Sequence, residues 1–187
     1  MSLLFVSVGT DHHPFARLLS WTGTWAAAHP GWEVQVQHGS TPAPAYGTAF
    51  AFCDHDRLQE LLEEADAVVA HGGPATITEA RRHGHVPVVV PRDPTLGEHV
   101  DGHQQLFARR LGAAGLVRLA EEEAAFMAVL DGVTAGAPTR RERAALAAAR
   151  EVPPGVHTVG RVIEELVVRR RAVAPARRGG GAGAAGR

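Results

Sequence analysis

Residues 66–80 read DAVVAHGGPATITEA, and the fold turns on this stretch. Ala67 to Ala70 is a short apolar run with two β-branched residues, the composition of a buried strand. His71-Gly72-Gly73 comes next as a turn, and Pro74 occupies a position where a first helical residue tolerates proline. From Ala75 to His83 the spacing is helical, and Gly84 ends the pattern. A buried strand passing through a glycine turn straight into a helix predicts crossover connections and a parallel sheet.

The same alternation extends outward in both directions. Leu3 to Val8 reads as a buried strand ending at Gly9-Thr10, with a helix from Phe15 stopped by His29-Pro30-Gly31. Glu33 to Gln37 and Ala49 to Cys53 read as strands, and Asp56 to Glu64 as a helix. Downstream, Val86 to Val90 predicts a strand, Pro91 to Gly97 a loop, Glu98 to Leu111 a helix and Leu116 to Leu119 a last short strand. Glu121 to Leu130, Arg140 to Arg150 and Gly160 to Arg171 carry helical spacing. The expected class is therefore α/β, a Rossmann-like parallel sheet with flanking helices. We expect one domain over 1–168 and a basic, Gly/Ala-rich disordered tail over 169–187.

Composition narrows the function classes. With 187 residues and a formal charge of -1 there is room for one well-cored domain and no electrostatic reason to expect a nucleic-acid partner. Cys53 is the only cysteine, which excludes an intramolecular disulfide and suits a reducing cytoplasm. No apolar run approaches the ~18 residues of a membrane span, and the N-terminus lacks a basic leader, so a soluble chain is expected.

Ligands of parallel α/β sheets bind beyond the carboxyl ends of the strands, which selects the loops 9–14, 71–76 and 91–99. In the second, Gly72 and Gly73 allow close backbone approach, and the helix start behind them offers free N–H groups to an anion such as a diphosphate. Thr76 and Glu79 are three residues apart. Glu79 reads either as part of a capping box or as an acceptor for vicinal sugar hydroxyls, and spacing alone leaves both open. His12 and His13 read either as solvated loop residues or as groups that contact phosphate or assist a leaving group near neutral pH. His99 and His103 would share a helix face, but Val100 stands where a zinc-protease helix needs Glu and no third ligand is evident, so no metal is expected. His83 and His85 read as partners of a helix C-terminus. Arg92, Asp101, Gln104 and Gln105 supply the amide and charged groups a sugar pocket needs, or else form a solvated face.

Three segments taken together, VSVGT at 6–10, ADAVVAHGGPATITEA at 65–80 and GHVPVVVPRDPTLGEHVDGHQQLFARRLGAAG at 84–115, resemble the C-terminal, donor-binding domain of glycosyltransferase family 28. The resemblance covers roughly residues 1–119. It implies one half of a GT-B fold that holds a UDP-sugar without an obligatory metal or other cofactor. By position it implies Gly72, Gly73, Ala75 and Thr76 at the diphosphate, Glu79 at the ribose, Asp101, Gln104 and Gln105 at the sugar, and Gly9, Thr10 and His71 along the cleft. The sequence departs from the family at Pro74, where Ala or Ser is frequent, and at Ala108, where some members carry Asn.

The resemblance further implies a donor-binding catalytic subunit of a split inverting transferase. Such a subunit would move a GlcNAc-like hexose to a carbohydrate or lipid-linked acceptor, with a membrane-anchored acceptor-binding subunit as partner recruiting this chain to the inner face of a membrane. The competing reading is a nucleotide-sugar-binding regulatory or assembly subunit without turnover of its own.

Overall fold

A computed structural model describes residues 2–136 and 142. Six strands form one parallel sheet in the order β3-β2-β1-β4-β5-β6. They are β1 (Ser2–Ser7), β2 (Trp32–Gln37), β3 (Thr48–Phe50), β4 (Ala67–His71), β5 (Val88–Val90) and β6 (Arg118–Leu119). The helices are α1 (Ala16–Ala28), α2 (His55–Glu64), α3 (Pro74–Arg82), α4 (His103–Ala113) and α5 (Glu123–Ala135). The chain steps outward from β1 to β3, then returns across β1 to build β4, β5 and β6. That reversal lies between β1 and β4, and a crevice opens at such a switch point beyond the carboxyl ends of the two strands. Ser7 pairs with Ala70 in register, so the loops carrying Gly9 and His71 start side by side.

The period-2 alternation of β1 divides the core. Leu4 and Val6 face Leu18, Trp25, Phe126 and Leu130 from α1 and α5, whereas Leu3 and Phe5 face Leu61, Leu62 and Ala80 from α2 and α3. Leu4, Phe5 and Val6 are all at 0% exposure, and each such side chain contributes about 1.5–3 kcal/mol of burial. A third cluster, Ile77, Val89, Ala108 and Val117, seats α4 against the sheet edge.

The elements fall in the predicted order with shifted bounds: the strand expected over Ala49 to Cys53 ends at Phe50, and the one expected over Leu116 to Leu119 begins at Arg118. The helix expected over Glu98 to Leu111 begins only at His103. Glu98 instead turns inward, 5% exposed, and Asp101 ends the loop by accepting the His103 N–H at 3.0 Å, just before the helix. The loop Pro91 to Gly97 contains a 3-10 turn at Pro94–Leu96, started by Asp93, whose Oδ1 accepts the Thr95 N–H at 2.8 Å. The strand expected over Val86 to Val90 is shortened to Val88–Val90, since Pro87 has no N–H to give a ladder. The C-terminal helices expected at 140–150 and 160–171, the boundary at 168 and the tail at 169–187 lie outside the described residues.

Candidate functional site

An open cleft of about 400 Å³ lies at the switch point, lined by Gly9, Thr10, His71, Gly73, Ala75, Thr76 and Glu79 among others. A larger groove of about 480 Å³ runs along the opposite end of the sheet, by Asp66, Gly84 and Val133. The convergent polar groups belong to the first of these, which is therefore the candidate site.

Its floor is built by β4 and the start of α3. Gly73 is the N-cap of α3 and Pro74 the first helical residue, so the first-turn N–H groups of Ala75 and Thr76 have no side-chain cap. The capping-box reading of Thr76 and Glu79 is overturned by this register, because Glu79 lies in the second turn. Its carboxylate instead accepts from Gln59 at 3.2 Å and Arg82 at 2.7 Å while facing the cleft. His83 is the C-cap of α3 and the His85 N–H donates to the Ala80 carbonyl at 3.1 Å, as their reading at a helix C-terminus expects, while their rings reach α2 at Gln59 Oε1 and the Leu62 carbonyl, each at 2.7 Å.

His71 closes β4 with its ring wedged between two glycines. A Cβ on Gly73 would stand 2.1 Å from Nε2, and one on Gly9 2.6 Å from the same atom, so both positions exclude any side chain while the imidazole is there. Burial, reinforced by the charge of Arg92 and opposed by the Ser7 carbonyl, pushes the imidazole pKa down to about 4. The ring is neutral at pH 7, and its Nδ1 has no partner in hydrogen-bonding geometry.

Arg92 takes a different place from the one its residue type suggested. It is at 0% exposure, and its guanidinium donates to the carbonyls of His13 (2.7 Å), Glu98 (2.9 Å) and Val8 (2.8 Å) while stacking 4.8 Å over Phe15. It is a strut between the first and third site loops and is not among the residues that line the cleft. Gln104 is buried against Gly72, its Oε1 3.4 Å from the Arg92 N–H. Gln105 is half-buried and Asp101 exposed, and neither is among the residues that line the cleft.

His12 and His13 stand beside the cleft rather than in its lining, with ring centroids 3.9 Å apart. Asp11 accepts from the His13 N–H at 2.8 Å and contacts its Nδ1 at 2.6 Å. Partial burial works to raise the Asp11 pKa, but these two bonds and the charges of Arg92 and His13 hold it down to about 2. An ionised carboxylate there fixes the hydrogen on His13 Nδ1 and leaves Nε2 free to accept a proton.

The sequence reading missed the second wall. Gln37, Cys53, Asp54, His55 and Leu58 line the cleft from the ends of β2 and β3 and the start of α2. Gln37 is held by Ser7 Oγ, which donates to its Oε1 at 2.7 Å. Asp54 caps α2 by accepting the Arg57 N–H at 2.8 Å, and burial followed by the charge of Asp54 raises the Cys53 pKa, so the thiol is neutral. Only the cap carried a sequence signal, Asp ahead of a helix.

Comparison with known proteins bears on the family and the fold. The family model described as "Glycosyltransferase family 28 C-terminal domain" matches residues 33–157. No curated protein sequence matches the chain. Among solved structures, the calicheamicin glycosyltransferase CalG4 is similar with a TM-score of 0.57 at 20% identity, over 93% of this chain and 43% of its own. The glycotransferase of kitacinnamycin gives 0.57 at 19% identity, over 78% and 38%, and MurG of Acinetobacter baumannii gives 0.50 at 14% identity, over 88% and 52%. At such identities the likeness is one of fold, and the sequence spans 38% to 52% of the length of these three.

Proposed function

The chain belongs to glycosyltransferase family 28 through that family's C-terminal domain, and on this premise we propose that it is the donor-binding catalytic subunit of a split inverting glycosyltransferase. The proposed donor is a UDP-hexose of the GlcNAc kind, and the acceptor a hydroxyl on a carbohydrate or lipid-linked molecule. The observation that carries the reading is the uncapped start of α3, behind two glycines, opening into a cleft with a carboxylate one turn further on.

A diphosphate against the N–H groups of Ala75 and Thr76 meets the positive end of the helix dipole. As the anomeric carbon–oxygen bond breaks, its electron pair passes to the diphosphate, and the helix terminus stabilises that charge. Transfer so assisted does not call for an obligatory metal or other cofactor. The acceptor oxygen forms the new bond from the opposite face, and its proton goes to an imidazole of the His12–His13 pair. His13, with Nε2 free by virtue of Asp11, is the better placed. Thr10 and Gly9 wall the diphosphate, Glu79 takes the ribose hydroxyls, and Gln104, Gln105 and Asp101 lie on the side of the hexose. Neutral His71 supports the floor and adds no charge to it. Arg92 acts by holding loops in position.

A second polypeptide, membrane-anchored and acceptor-binding, is proposed to supply the other half of the site and to recruit this chain to the inner face of a membrane. No helix among the described residues is long and apolar enough to cross a membrane. The competing reading is a nucleotide-sugar-binding subunit without turnover. The deciding experiment offers labelled UDP-GlcNAc and UDP-glucose to this chain with the product of the neighbouring gene. Sugar transfer supports the catalytic reading, and protection by UDP without transfer by any partner supports the binding subunit. Equal thermal protection by UDP and ADP sinks both.

A further inference from the structure

Outside the donor cleft, two loops bring four imidazoles and two carboxylates to one rim. The loop after β1 supplies Asp11, His12 and His13, and the loop before α4 supplies His99, Asp101 and His103. The ligand-capable atoms of His99, Asp101 and His103 lie within 4.8 Å of one another. His99 Nδ1 is 3.9 Å from Asp101 Oδ1, too long for a hydrogen bond and compatible with two ligands flanking a cation that takes imidazole and carboxylate at about 2.0–2.2 Å. The Asp101 N–H reaches the lone pair of His99 Nδ1 at 3.4 Å, the long limit of a hydrogen bond, so a cation at that nitrogen displaces one weak bond. Nε2 of the same ring therefore carries the hydrogen, and it faces Asp11 Oδ2 at 3.6 Å. A ligating imidazole whose other nitrogen is directed to a carboxylate is the usual outer-shell arrangement of a histidine metal site. His103 meets Asp101 through Nδ1 and packs edge-on against His99 at 4.8 Å between centroids.

The His99 side chain is 10% exposed, whereas Asp101 and His103 are 59% and 60% exposed, so the group is anchored on one side and open on the other. The loops do not depend on it. Arg92 and the Arg17–Glu98 pair already fasten them. The sequence spacing put His99 and His103 on one helix face, but α4 starts at His103 and His99 lies in the loop before it. The bend at 98–102 assembles the third ligand instead.

We propose that His99, Asp101 and His103 hold a divalent transition-metal cation of the zinc class, with Asp11 orienting His99 from behind. The set is three ligands of nitrogen and oxygen with its solvent side available, the form of a site that takes a water or an exogenous oxygen as further ligand. The cation site shares Asp101 with the hexose side proposed above, so the test reads the two separately, retained zinc for the cation and UDP protection for the nucleotide.

The test equilibrates the purified full-length chain with zinc chloride, desalts it, and measures retained metal by mass spectrometry and affinity by competition with a chromophoric chelator. One equivalent is expected. Asp101→Asn retains an oxygen for the His103 N–H and thus the loop, yet loses the anionic ligand, and His103→Gln alters an exposed ring. Each is expected to weaken zinc by about 100-fold or more, and Asp11→Asn by about 10-fold, as outer-shell changes do. His12→Gln is expected to change it less than threefold. Zinc affinity in the Asp101→Asn/His103→Gln double variant equal to that of the unaltered chain overturns the proposal, as does loss on His12→Gln alone. UDP protection measured on the same samples reports the donor site separately.

Discussion

Arg17 and Glu98 form a two-pronged ion pair across the carboxyl edge of the sheet, Nη2 to Oε2 at 2.7 Å and Nε to Oε1 at 3.0 Å. The side chains are 17% and 6% exposed, and Glu98 Oε2 also accepts the Asp93 N–H at 2.8 Å. Helix α1 is thereby fastened to the loop that carries the rim histidines. Removing one partner leaves a poorly hydrated charge behind. Glu98→Ala is expected to cost on the order of 3 kcal/mol in urea unfolding, and Arg17→Met/Glu98→Leu less than the sum of its single changes. A loss below about 1 kcal/mol for Glu98→Ala would place the pair with ordinary surface salt bridges.

Glu79 separates stability from binding. Its ion pair with Arg82, whose side chain is 61% exposed, is worth less than about 1 kcal/mol to the fold. Glu79→Ala is therefore expected to leave the melting temperature within a few degrees while weakening UDP at least 10-fold by calorimetry. Unchanged UDP affinity removes Glu79 from the ribose role.

His71 gives the domain a pH dependence of stated sign. Its folded pKa, about 4, lies below the ordinary histidine value, so the unfolded chain binds the extra proton first as pH falls. The stability tied to the neutral ring is complete above about pH 6.5 and lost between there and about 4, on the order of 3 kcal/mol in all. His71→Asn is expected to flatten that part of the profile of unfolding free energy against pH. A slope that persists in the variant assigns the effect to other groups.

Gly73→Ala tests the wedge. Gly73 has an ordinary φ of -78°, so the penalty is one of space alone, a methyl 2.1 Å from His71 Nε2. A loss of about 2 kcal/mol or more is expected, with His71→Ser in the same chain returning part of it. Additive losses in the double variant would show that the ring yields easily.

Much of the fold was legible because its strands are short, apolar and punctuated. The strands expected over Val86 to Val90 and Ala67 to Ala70 could be placed from composition alone, to within two residues of Val88–Val90 and one of Ala67–His71. The glycine turn and helix start of the cleft floor were legible too, since both signal themselves locally. Gln37 and Cys53 were not, because their place in the cleft depends on β2 and β3 lying on the far side of β1, and strand order is a long-range property. Arg92 misled by residue type: an arginine in a site loop invites an anion, but three backbone carbonyls claimed it first. Glu98 misled through periodicity, as its inward turn delays α4 by several residues.

The buried Arg92 strut has a kinetic consequence. A guanidinium bonded to the carbonyls of Val8, His13 and Glu98 joins two loops that otherwise would have to settle around each incoming nucleotide. Their ordering is completed when the chain folds, so little conformational entropy is left to lose at binding. Under the donor role proposed above, nucleotide capture is expected to be governed by diffusion into the open cleft, with a rate linear in ligand concentration and no saturating loop-closure phase in stopped-flow measurements.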